Sequence, residues 1–420
     1  MIVKQLRLTN VRVFREAEFN FQPGMNLLVG VNGVGKSTVL DVLRILFSQM
    51  MPKISDSTDK PIRFVEKDIA ANQEILTTKV ICEASQKQFG YSIKSYSKSY
   101  RLISKEQKNQ AKSGFGTWSF SLETSPDLKS LNVIRNFFAP IQADNPLAIY
   151  FSPYRSIFDT SKPRLKSDIS PAHFKALEPR QLKLQEFIDW WLGRKKLAQE
   201  GLASGQIILN ALEQAVIEFL GCSNLRVDEK KKTLLLEKSG VTLDVKQLSD
   251  GERGVLALVL DLTKRLAEAN PYLENPAKEG KAVVLIDELD LHLHPKWQRT
   301  IVDQLTKTFP NCQFIATTHS PQIIGSVAPE NVILLENGKP PLKPDQSLGM
   351  DTNWILKFLM ETNERDSKYE LELKEIAQLI EDDNYEEAQS KIDSLREKLG
   401  EFPELVRLQT RIDHFTLLDL

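Results

Sequence analysis

Gly30-Val31-Asn32-Gly33-Val34-Gly35-Lys36-Ser37-Thr38 is the stretch on which the reading of this 420-residue chain turns. Before it, the turn Gln22-Pro23-Gly24 leads into the apolar run Met25-Asn26-Leu27-Leu28-Val29, which has the look of a buried strand. After it, Val39, Leu40, Val42, Leu43, Leu46 and Phe47 recur at helical spacing. Strand, glycine loop, helix is the order that lets backbone N–H groups surround phosphates, with the helix dipole adding positive potential. Gly30, Asn32, Gly33, Gly35, Lys36, Ser37 and Thr38 are therefore the expected phosphate-binding residues. Lys36 is placed for the terminal phosphates, and the Ser37 hydroxyl for Mg²⁺.

Three further segments carry chemistry. Val283-Val284-Leu285-Ile286-Asp287-Glu288 is an apolar strand ending in adjacent carboxylates. Asp287 can hold the Mg²⁺ shell, and Glu288 can take a proton from an attacking water, the two jobs that phosphoryl transfer to water requires. Leu248-Ser249-Asp250-Gly251-Glu252-Arg253 opens a helix, where a serine hydroxyl and glycine N–H groups make an anion site. Thr317-Thr318-His319-Ser320 follows the apolar run that starts at Cys312.

These segments together resemble ABC-type ATPases, and the rest of the assignment follows from that likeness. It implies that Ser249, Gly251 and Glu252 form a signature motif acting in trans, so that two copies sandwich ATP head to tail. It also implies that His319 is the switch histidine on the γ-phosphate, and that Asp290 belongs to a D-loop facing the opposite site. The His292-Leu293-His294 pair suggests metal at first sight, but no third ligand lies at useful spacing. For the Q-loop, Asp68 and Gln73 both precede a strand in the right region. Arg12 and Phe14 lie beside the adenine in similar proteins, or are ordinary strand residues here.

Over about residues 1 to 340 the motifs resemble RecF, SMC and OLD-like ATPases rather than transporter subunits, whose signature reads Leu-Ser-Gly-Gly-Gln. OLD nucleases add a Toprim domain after the switch histidine; the residues after His319 lack its acidic constellation, which implies a chain that does not cut DNA itself. The run Leu348-Gly349-Met350-Asp351-Thr352-Asn353-Trp354-Ile355-Leu356 looks like the C-terminal part of PtuA-type ATPases of Septu and some retron antiphage systems. Those act beside a separate HNH nuclease, PtuB, so the resemblance implies such a partner, along with nucleic acid as DNA or retron RNA/DNA. The competing expectation is a RecF-like ATPase that clamps DNA, with Arg194-Lys195-Lys196 and Lys230-Lys231-Lys232 as phosphate contacts.

Composition fits this frame. Hydrophobic residues are 41% and charged residues 26% of the chain, as in globular proteins. A formal net charge of −1 supplies no long-range field for nucleic acid. Cys82, Cys222 and Cys312 are too scattered for a disulfide framework, which points to the cytoplasm, and no run approaches the ~18 apolar residues of a membrane span. The expected fold is an α/β ABC-type P-loop ATPase head with a mixed sheet and no long coiled coil. Its parts are an ATPase lobe over 1–100, an insertion over 101–222 that is irregular then helical, a second lobe over 223–345, and an acidic helical appendage over 346–420. Ser104–Gly116 reads as a loop and 126–180 as irregular.

Overall fold

Strands buried on both faces become uninterrupted apolar runs, whereas strands with one wet face alternate. Both kinds occur in the computed structural model, which describes residues 1–55, 57–84, 87–97, 117–122, 146–156, 172–179, 183–362 and 367–418. It comprises two units, Met1–Ile355 and Leu356–Leu420. In chain order the first holds β1 (Ile2–Val11), β2 (Phe14–Asn20), β3 (Met25–Val29), α1 (Lys36–Ile54), β4 (Ile75–Ala84), β5 (Lys87–Tyr96), β6 (Thr117–Leu122) and β7 (Leu147–Phe151). It continues with α2 (Leu184–Gln199), α3 (Ala203–Leu220), β8 (Ser223–Asp228), β9 (Thr233–Lys238), β10 (Val241–Asp244) and α4 (Asp250–Ala269). Then follow β11 (Ala282–Ile286), α5 (Ile301–Thr308), β12 (Gln313–Thr317) and β13 (Val332–Leu334).

The core sheet has the order β13-β3-β12-β11-β7, with every pairing parallel. Its strands β3, β7, β11 and β12 are buried at every position, which is why their sequences show no alternation. An antiparallel sheet, β2-β1-β4-β5-β6, lies against it, and β4 alternates strictly between buried and half-buried side chains. Helix α1 packs its apolar face between the two sheets, in one cluster with residues of both. Buried amides tie the layers together. Gln313 on β12 accepts from the Val3 amide at 2.6 Å and donates to the carbonyls of Val3 and Gln22, both at 2.8 Å. An unpaired buried amide would cost about 1–3 kcal/mol, so a side chain with three partners can be kept inside the fold.

Two sequence expectations are corrected here. The stretch 126–180, read as irregular, contains β7, which pairs in parallel with β11 and is part of the core sheet. A five-residue apolar strand carries no periodicity, and the flanking Pro146 and Pro153 made it look like loop. The helical end of the 101–222 stretch, read as a helix pair over 181–220 with a break at 201–205, is α2 and α3, and Gly205 sits inside α3 rather than in that break. A Cβ there would strike the backbone of Arg194 and Ala198, so this glycine sets how closely the two helices approach. The expected loop Ser104–Gly116 lies outside the described residues.

The second unit is built from α6 (Ser367–Glu381), α7 (Tyr385–Leu399) and α8 (Pro403–Leu418). Ile376, Ile380, Ile392, Leu395, Leu405 and Leu408 form its apolar centre. Across α7 and α8, Gln389 and Gln409 exchange amide hydrogen bonds of 2.8 and 2.6 Å.

Candidate nucleotide-binding site

The site lies where open parallel sheets place ligands, beyond the carboxyl ends of their strands. The loop from β3 to α1 turns through Gly30, Gly33 and Gly35, with φ of 152°, 84° and 106°. These values lie in the region that side chains avoid. A Cβ on Gly30 would strike the Leu335 carbonyl and one on Gly35 would strike the Phe14 ring, so crowding adds to the demand for glycine. Helix α1 starts with no side-chain cap and no acid in its first turn. Its first N–H groups are therefore left for an anion, which is what a triphosphate needs. Lys36 is largely buried, its Nζ held by the carbonyls of Gly30 at 2.8 Å and Val31 at 2.9 Å. Burial pushes its ammonium pKa down, against the pull of Asp287, Asp290 and Glu288.

Facing it are the ends of β11 and β12. Ser37 Oγ donates to Asp287 Oδ1 at 3.1 Å, and Thr317 Oγ1 donates to the same oxygen at 2.7 Å. The Ser37 and Asp287 oxygens are hard donors side by side, the ligand type Mg²⁺ selects. The backbone of Glu288 is left-handed, with φ of 52°, and its amide donates to Thr317 Oγ1 at 2.7 Å. Asp290, assigned by resemblance to the opposite site, is engaged within its own chain. Its Oδ1 accepts from Thr318 Oγ1 at 2.7 Å and from the His319 amide at 3.1 Å. His319 is half-buried; desolvation lowers its pKa first, and Lys36 lowers it further.

At the start of α4, Ser249 is exposed and caps the helix, forming a reciprocal pair with Glu252. Ser249 Oγ donates to Glu252 Oε2 at 2.9 Å, and Lys238 of β9 ion-pairs with the same carboxylate. Gly251 presses its backbone onto the His292 carbonyl, where a Cβ would collide. His294 Nδ1 accepts from the Lys296 amide at 3.2 Å, and among the described residues no group of three or more His, Cys, Asp and Glu side chains converges as a metal set.

Arg12 and Asp68, given different roles by resemblance, meet. The Arg12 guanidinium pairs with Asp68 and Asp41 at 2.9 Å each and reaches Thr38 Oγ1 at 3.4 Å. Phe14 is buried under Gly35, edge-on to Phe19. Gln73 stands apart in an exposed turn. Sequence reasoning missed Arg155, Thr317 and Asp41. Arg155 had only a weak signal, standing on the turn four residues past the apolar run of β7 rather than directly at a strand end as Asp287 does.

Glycine turns, an uncapped helix start and paired carboxylates at one sheet edge define the class: a P-loop ATPase domain of mixed α/β architecture. The chain belongs to a family of such domains, described as "AAA domain, putative AbiEii toxin, Type IV TA system", which it matches over residues 25–325. The retron Ec83 probable ATPase of Escherichia coli is 40% identical over 211 residues, 49% of this chain and 39% of that protein. The matched part thus spans well under half of that relative's length. The Septu protein PtuA of Bacillus thuringiensis is 24% identical over 351 residues, covering 80% of this chain and 76% of its own. Among solved structures, an SMC head bound to the C-winged helix domain of ScpA aligns over 83% of this chain and 99% of its own at 13% identity, with a TM-score of 0.49.

Proposed function

We propose that the chain binds MgATP at the loop Gly30–Thr38, hydrolyses it slowly, and pairs head to tail with a second copy around the nucleotide. Through that cycle it controls a separate HNH nuclease of the PtuB kind in antiphage defence. The observation that carries the chemistry is the shared carboxylate: Asp287 Oδ1 within hydrogen-bonding distance of both Ser37 and Thr317, next to Glu288 at the strand end. Mg²⁺ bound by Ser37 and Asp287 would neutralise charge on the β- and γ-phosphates. Lys36 leaves its loop carbonyls for the γ-phosphate. Water attacks the γ-phosphorus as the bond to the ADP oxygen breaks, Glu288 takes the water proton, and His319 hydrogen-bonds the transferring group.

The pairing reading rests on Ser249, exposed at a helix start and bonded to Glu252 rather than to its own phosphate loop. The defence reading rests on the retron and Septu relatives and on the tail resemblance. The RecF-like alternative draws on Lys230–Lys232, exposed at the turn between β8 and β9. In the other basic run Arg194 is spent on buried Glu268, while Lys195 and Lys196 make only exposed pairs with Glu229 and Glu200. Glu288→Gln should lower turnover about 100-fold or more while nucleotide binding persists, and an ATP-held dimer should accumulate on sizing columns. Unchanged turnover would remove Glu288 from the role of base, and salt-sensitive duplex binding with no nuclease partner would favour the clamp.

A further inference from the structure

Glu288 carries a side chain in the left-handed region at φ of 52°, a conformation that persists only where its surroundings hold it. On its amide side the holder is the Thr317 hydroxyl at 2.7 Å. On its carbonyl side the holder is Arg155, on the short 3₁₀ turn Pro153–Ser156 that leaves β7. Arg155 is only 7% exposed, and its fork is spent on main chain. Nη1 donates to the Asp287 carbonyl at 2.8 Å, and Nη2 to the carbonyls of Glu288 at 2.6 Å and Leu289 at 3.3 Å. A fourth, longer bond of 3.4 Å from Nη1 reaches the Ser152 carbonyl and fixes the turn that carries it.

A buried guanidinium usually takes a carboxylate. Here every hydrogen-bond acceptor is a carbonyl, and three of them belong to consecutive residues, 287 to 289. Fixing the peptide planes on both sides of Glu288 fixes the direction of its Cα–Cβ bond, and so the origin from which the side-chain torsions swing the carboxylate. Burial pushes the Arg155 pKa down to about 10, against the pull of the Asp290, Glu288 and Asp287 charges, and none of those carboxylates draws its fork away from the carbonyls.

We propose that Arg155 is a positioning residue for hydrolysis, its planar fork holding the carbonyls of Asp287, Glu288 and Leu289 so that the Glu288 carboxylate meets the attacking water. This rests on the reading of Glu288 as the base. Lysine offers one compact ammonium in place of the fork and cannot reproduce the three-carbonyl geometry.

The experiment compares MgATP affinity, KM, kcat and melting temperature of the full chain as wild type, Arg155→Lys, Glu288→Gln and the double variant. Arg155→Lys should keep its fold and its ATP affinity within about threefold while kcat falls about 100-fold, the scale of a misplaced catalytic group. On the Glu288→Gln background the same change should cost almost nothing, because the group it positions is gone. Should Arg155→Lys melt more than about 10 °C below wild type, Arg155→Gln takes its place with the same readouts. The assignment is overturned by near-normal kcat, by ATP affinity falling as far as kcat, by a full loss on top of Glu288→Gln, or by both Arg155 variants unfolding. Glu288→Gln at the wild-type rate would instead remove the base itself, a separate failure visible in that single variant.

Discussion

The nucleotide edge of the first unit and the three-helix second unit differ in how far along the chain their contacts reach. Ser37 meets Asp287 across 250 positions, and Arg155 meets Glu288 across 133. In the second unit the Gln389–Gln409 pair spans 20, and the apolar centre is made by neighbouring helices. Local packing lets the second unit form from propensity and amphipathic pattern, whereas the site exists only when distant strands are in register. The site should therefore be fragile to single changes that leave the bulk of the molecule alone, and the helical unit the reverse.

The sharpest test of that contrast is Lys36→Ala. Nucleotide affinity should fall about 100-fold or more, the order of losing a charged phosphate contact, with the melting of the second unit unmoved. Titration with a fluorescent nucleotide and a two-probe melt read both; retained affinity would show that the loop backbone alone suffices. In the opposite direction, Ile392→Ala should cost about 2–5 kcal/mol within the helical unit, since Ile392 is fully buried there. Nucleotide affinity should stay within about twofold, and if it collapses the two units are not energetically separate.

The smallest effect concerns pH. The folded-state pKa of His319 is lowered, so as pH drops below about 6.5 the unfolded chain takes up a proton that the folded chain declines. Stability present above that value is lost as pH falls toward the folded pKa. Melting of the first unit from pH 7.5 down to about 5.5 should show this slope, and His319→Gln should flatten it.

Much of this was legible in the sequence because glycine loops, apolar strands with acidic ends and amphipathic helices each leave a local pattern. Residues 30–38 and 287–288 were read that way and His319 by resemblance, and the family match and parallel sheet agree with the fold they implied. What could not be read was partnership. Nothing around Arg12 announces Asp41 and Asp68, because ion pairs across helices and turns have no spacing rule. Strand β7 was lost because five apolar residues carry no period, and Arg155 was lost with it.

Gln313 sets an order on biosynthesis. Its partner Val3 leaves the ribosome 310 residues earlier, an interval of about 15–60 s at ordinary elongation speeds. Through that interval β1, already paired with β2 and β4, lacks the contact with β12 that ties its sheet to the core sheet. Slowing translation between these two points lengthens the exposure, and soluble yield should respond to codon choice there more than to codon choice in the helical tail.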